Sequence, residues 1–166
     1  MIIELAKKLA TFAQFVDFVI AELEFQRGKF AAGAEILKTH SAMVLLQVST
    51  PNAKLLVKMI RPRSEIKAAV GCRIQSAEKI WRVFTASEIF SFTQAVGDKN
   101  KIHQLNPPIV PGLLILETIS AEFSSRRIKM RFKKFITAGE PLSLRVNDNN
   151  FEIYSAGERK IFGTAN

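Results

Sequence analysis

Apolar residues recur early in this chain at Leu5, Leu9, Phe12, Val16, Val19 and Leu23, in alternating four- and three-residue steps, and Ala13, Phe15 and Ile20 widen the stripe. Such spacing repeats on one face of a helical turn, so it predicts an amphipathic helix ending near Arg27-Gly28. That helix either packs on its own domain or serves as a dimerising or membrane-surface element. From Ala42 the period shortens. Residues 43–48 and 54–60 are β-prone runs separated by Ser-Thr-Pro-Asn, the pattern of a hairpin.

Pro62, Ser64 and Gly71 mark residues 61–71 as a linker, which divides the chain into an N-terminal helix and hairpin extension, residues 1–69, and a second unit, residues 70–166. Beyond it, residues 81–84 read as a short strand. Thr85-Ala-Ser-Glu88 is a capping-box pattern, so a helix is expected through Ile89, Phe92, Thr93 and Val96 to Gly97. A further helix begins at Pro111-Gly112 and continues through LLILETISAEF, proline being tolerated where a helix amide has no partner. Ile128, Met130 and Phe132 then alternate with Lys129, Arg131 and Lys133 as in a half-buried strand. Runs at 142–146, 151–154 and 160–164 complete an antiparallel meander. No internal repeat is visible.

At 166 residues and 48% hydrophobic, the chain can bury a single substantial core. Its one cysteine, Cys72, excludes an intrachain disulfide and fits a reducing cytoplasm. Two histidines and no cysteine cluster give no expectation of a metal. The formal charge of +9 favours acidic partners: phosphorylated carriers such as coenzyme A, acidic carrier proteins, nucleic acids or anionic membranes. With one Trp and one Tyr there is no stacking platform, so nucleic acid is not expected. Glu4, Lys7, Lys8 and Asp17 interrupt the N-terminal stripe, and no uncharged run reaches a membrane-spanning length. The basic stripe from Arg126 to Lys134 either contacts phosphates or is the solvated side of a sheet.

The chemistry concentrates in GDKNKIHQLNPPIVPGLLILE, residues 97–117. Asp98, Asn100 and His103 lie within six residues, followed by a proline-rich turn, Gly112 and an apolar helix carrying Glu117. His103 is the natural proton carrier, since an imidazole titrates nearest neutrality. Asp98 can hold a water or hydroxyl jointly with it. Asn100 can fix the loop or the second imidazole nitrogen, and Asp98 and Asn100 are also common turn residues. Gly112 offers a helix-start amide to a developing oxyanion.

This segment resembles two families. Gly97, Asp98, Asn100 and His103 are similar to the signature of the MaoC-like dehydratases and (R)-specific enoyl-CoA hydratases, with Lys101 where that signature has proline. The order His103, Pro108-Ile-Val-Pro-Gly112, Glu117 resembles the 3-hydroxyacyl-carrier-protein dehydratases. The resemblance implies an α+β hot-dog fold over residues 70–166, an antiparallel sheet wrapped around a central helix. It implies hydration of trans-2-enoyl thioesters, or dehydration of (R)-3-hydroxyacyl thioesters, carried on coenzyme A or acyl carrier protein, with no other cofactor and a homodimeric assembly. The site would comprise Asp98, His103, Asn100, Gly112 and Glu117, with Glu117 either a second catalytic group or a paired structural acid. A thioesterase on the same fold and a non-catalytic acyl-thioester binder are the alternatives.

Overall fold

The computed structural model describes residues 1–66 and 79–166, so Cys72 and the end of the expected linker lie outside the described residues. The long N-terminal helix is the main correction. Helix α1 covers Ile2–Ala10 only, burying Ile2, Leu5 and Ala6. Thr11 closes it by donating its hydroxyl to the Lys8 carbonyl, and a 3-10 turn at Ala13–Phe15 follows. Strand β1 then runs Val19–Arg27. The reason lies in Glu22-Leu-Glu-Phe-Gln26, a period-two run that sends Leu23 and Phe25 into the core and leaves Glu22, Glu24 and Gln26 partly exposed.

Strands β2 (Gly33–His40), β3 (Met43–Thr50) and β4 (Ala53–Ile60) follow, the last two forming the expected hairpin. β2 was not expected, and every one of its residues is exposed. After β5 (Arg82–Val83) comes α2 (Ala86–Val96), opened by the capping box. The Thr85 hydroxyl accepts from the Glu88 amide at 3.2 Å, and Glu88 Oε2 accepts from the Thr85 amide at 2.8 Å. Helix α3 (Gly112–Glu122) precedes β6 (Arg127–Phe132), β7 (Pro141–Asn147), β8 (Asn150–Ser155) and β9 (Glu158–Ala165), as the patterning indicated.

The nine strands form one sheet in the order β2-β3-β4-β1-β6-β9-β8-β7-β5. Leaving the short edge β5 aside, that order is a palindrome. Helix α1 with β1 to β4, and helix α3 with β6 to β9, run through the same topology, and the two halves meet where β1 and β6 pair antiparallel about Glu24 and Lys129. An internal repeat therefore exists in topology although none is visible in sequence. Sheet and core both continue across the division expected at residues 69 and 70: Ile2, Leu5, Leu23 and Phe25 share a single cluster with Leu113, Ile115, Met130 and Ile153.

Helix α3 buries Leu113, Leu114, Ile115, Leu116 and Ile119, more than one face, as expected of a helix enclosed by a sheet. Strand β9 passes so close to β6 that a Cβ on Gly163 would lie 2.0 Å from the Lys129 carbonyl oxygen and 2.7 Å from the Phe151 ring. Backbone cannot yield as a side-chain tip can. Gly163→Ala is therefore expected to cost about 3 kcal/mol, the upper end of ordinary overpacking. Calorimetry should show a thermal midpoint lower by roughly 6–12 °C for a chain of this size. A midpoint within about 2 °C of wild type would mean the strands separate without penalty, against a close-packed interior.

Candidate active site

Asp98 is placed by the end of α2. Gly97 adopts the left-handed conformation at φ 74°, which glycine accepts without strain, and the Asp98 amide donates back to the Thr93 carbonyl at 2.9 Å. The chain turns sharply there and carries the carboxylate toward α3. Its Oδ1 accepts the Asn100 amide at 2.9 Å. Asn100 in turn accepts from the Ile102 amide at 3.2 Å, capping a 3-10 turn at Lys101–Gln104. The Asn100 side-chain amide donates to the Phe18 carbonyl at 2.9 Å, tying this loop to the segment before β1. Of the two roles open to Asn100, the structure shows the loop-fixing one; the second imidazole nitrogen has a different partner.

That partner is a backbone carbonyl. His103, only 7% exposed, places Nδ1 2.7 Å from the Ile109 oxygen, which can only accept, so Nδ1 carries a proton. Nε2 is then the ring nitrogen left without a backbone partner, and it faces Asp98 Oδ2 at 3.4 Å. At that separation the two atoms are loosely joined, with capacity left for a third polar group. Burial acts to raise the Asp98 pKa, yet the hydrogen bond and charge of His103, with the Asn100 amide, outweigh it and hold the carboxyl below its usual range.

Asp98, Asn100, His103 and Gly112 all line one cavity of about 370 Å³. Its remaining wall is largely apolar and comes from both halves of the chain, including Leu9, Phe12, Phe15, Leu46, Met59 and Phe132. The N-terminal contribution was not foreseen, because its residues reach the cavity only through the fold. Gly112 opens α3 behind Pro111, where helix amides have no intrahelical acceptor. A Cβ there would stand 3.1 Å from Phe132 and 3.3 Å from Ile20, both on the cavity wall. An apolar chamber with a few convergent polar groups at one end is the usual form of a small-molecule site.

Glu117 is not brought to this site. It sits half-buried on α3 and is not among the residues that line the cavity. The basic stripe divides as well. Arg127 and Lys129 pair with Glu24 at 2.5 and 3.3 Å, and Arg131 pairs with Glu22 at 3.4 Å, across the central strands on the outer face of the sheet. Lys133 and Lys134 border the cavity, together with Lys99 and the exposed Phe135, and Lys134 also pairs with Glu158 at 3.5 Å.

A curved antiparallel sheet enclosing a buried helix, with a ligand-sized chamber at that helix's start, defines the α+β hot-dog fold, and comparison with solved structures bears this out. HtdX of Mycobacterium tuberculosis is similar to this chain at a TM-score of 0.61 and 17% identity, over 99% of this chain and 86% of the other. A MaoC-like dehydratase of Phytophthora capsici gives 0.53 and 13%, over 92% and 70%. An acyl-ACP thioesterase of Bacteroides thetaiotaomicron gives 0.51 and 14%, over 89% and 75%. At these identities the likeness is one of fold, and it is shared by structures named for dehydration and for thioester hydrolysis. No protein-family model and no curated protein matches the sequence. Among the described residues no helix is long and apolar enough to cross a membrane.

Proposed function

We propose that this chain is a hydro-lyase that interconverts trans-2-enoyl and (R)-3-hydroxyacyl thioesters of coenzyme A or acyl carrier protein. The observation that carries this reading is the meeting of His103 Nε2 and Asp98 Oδ2, 3.4 Å apart, at the polar end of an apolar chamber that the start of α3 also borders. In the hydration direction a water held between carboxylate and imidazole bonds through its oxygen to the β-carbon and gives up one proton to the pair. The carbon–carbon double bond becomes single as the pair returns one proton to the α-carbon. Charge that develops on the thioester oxygen faces the free amides at the start of α3, an arrangement that favours the transition state because those dipoles are already fixed. The acyl chain lies along the apolar wall. Lys99, Lys133 and Lys134 supply positive charge at the rim for a phosphorylated carrier arm.

Crotonyl-CoA tests this directly. The expected result is loss of the enoyl absorbance with no free thiol, and its return when the 3-hydroxy product is supplied instead. Thiol release with the enoyl group intact would overturn the hydro-lyase reading in favour of a thioesterase on this fold. Tight binding without either change would point to a non-catalytic binder.

A further inference from the structure

The interior of this protein holds an ion pair outside the chamber's polar end. Lys160 on β9 has a side chain only 10% exposed, and its Nζ lies 3.0 Å from Glu140 Oε1 and 3.1 Å from Glu158 Oε2. Glu140 is itself buried, its side chain 6% exposed. Burial works to discharge the lysine, but both carboxylates outweigh it and keep it protonated. A buried pair is poor value as a stabiliser, since apolar groups of the same volume commonly do as well or better. What it is joined to is therefore informative.

Lys160 holds residues 133–140 at both ends. Its carbonyl accepts the amides of Lys133 at 2.8 Å and Lys134 at 3.2 Å, while its ammonium holds Glu140. Glu140 Oε2 accepts the Thr137 amide at 2.9 Å, which folds the far end of the segment into a tight turn. That turn grips the loop ahead of α3. The Ile136 carbonyl accepts the Val110 amide at 2.8 Å, the Ala138 amide donates to the Pro108 carbonyl at 2.9 Å, and Thr137 and Ile109 form a bridge. Ile109 is the residue whose carbonyl accepts the hydrogen bond from His103 Nδ1.

We infer that the buried Lys160–Glu140 pair is a positioning device for the active-site imidazole, acting through the 136–138 turn and the 108–110 loop to fix the Ile109 carbonyl against Nδ1. The inference rests on the reading of His103 as the proton carrier, but its geometric part can be tested without turnover. Lys160→Met and Glu140→Gln should each lower kcat on an enoyl thioester by on the order of 10- to 100-fold, measured below both thermal midpoints, with KM little changed, because displacement of a reacting group by an ångström is that costly. Lys160→Arg, which keeps the charge, should recover most of the loss. Imidazole NMR supplies the second readout, since the chain has two histidines and His40 is exposed. The Nδ1 proton signal of His103 should broaden or shift in both variants while the carbon-bound ring protons of His40 stay unchanged. Should Lys160→Met fail to fold, Glu140→Gln, nearly the same shape, provides the same measurements. A lowered midpoint with kcat and the His103 signal unaltered would overturn the proposal and leave the pair a structural element. If the wild type showed no hydration but the His103 signal still responded, the hydro-lyase reading would fail while the positioning link held.

Discussion

Replacing His103 with alanine is expected to lower turnover of an enoyl thioester by on the order of a hundred- to ten-thousandfold, the range for loss of a positioned acid/base group. Among the described residues it is the one imidazole on the chamber wall, and its proton-bearing Nδ1 leaves Nε2 to the ligand. Asp98 remains, but it loses the imidazole whose hydrogen bond and charge hold its carboxyl below the usual range and with which it would hold the water. The substitution also strips the Ile109 carbonyl of its donor, so a stability loss of about 1–3 kcal/mol should accompany the kinetic one. Turnover is therefore to be normalised to folded protein by circular dichroism. His103→Gln offers a check with less lost volume. Activity within about fivefold of wild type in either variant would remove His103 from the reaction.

Asp98→Asn should be the second large effect, on the order of a hundredfold in kcat, because an amide can neither accept a proton nor hold a water with the same polarity. The substitution has a pH signature that follows from linkage. A carboxyl with a depressed folded-state pKa contributes stability above its unfolded-state pKa and loses that contribution as pH falls through the folded-state value. Denaturant unfolding of wild type and D98N across pH should therefore show a stability gap that is full near neutrality. It should shrink below about pH 4, where an unperturbed aspartate titrates. A gap that widens with acidification would contradict the ionised, imidazole-paired state of Asp98. The opposite order of effects, full activity with altered stability, would make Asp98 a turn residue only.

The site was legible in sequence where its geometry is local. Asp98, Asn100 and His103 are neighbours along the chain, the Gly97 helix end fixes where they point, and the capping box at Thr85 locates the start of that helix. The meander and α3 were equally legible because alternation and a solid apolar run leave few other readings. The failures also have physical causes. Residues 5–23 satisfy a helical period well enough to mask the end of α1 at Ala10 and the start of β1 at Val19, and no glycine or proline marks either. β2 has no pattern to read, since both of its faces meet solvent. Glu140 and Lys160 stand twenty residues apart, and only the pairing of β6 with β9 brings their backbone surroundings together. For Glu117 the sequence leaves a catalytic and a structural role open, since its place in the motif order does not say whether the helix brings it to the chamber, and it is not among the lining residues.

The mirrored order of the sheet bears on how this molecule divides its tasks. Both halves supply a helix and four strands, yet the loop with Asp98 and His103 precedes only α3, while the half that begins with α1 contributes apolar surface to the same cavity. On the proposed reading, the proton-transfer groups come from one half of the polypeptide while both halves shape the space for the ligand. On that reading, changes at Leu9, Leu46 or Met59 retune which acyl groups fit while Asp98 and His103 keep their spacing, because the residues that would select lie far along the chain from those that would react.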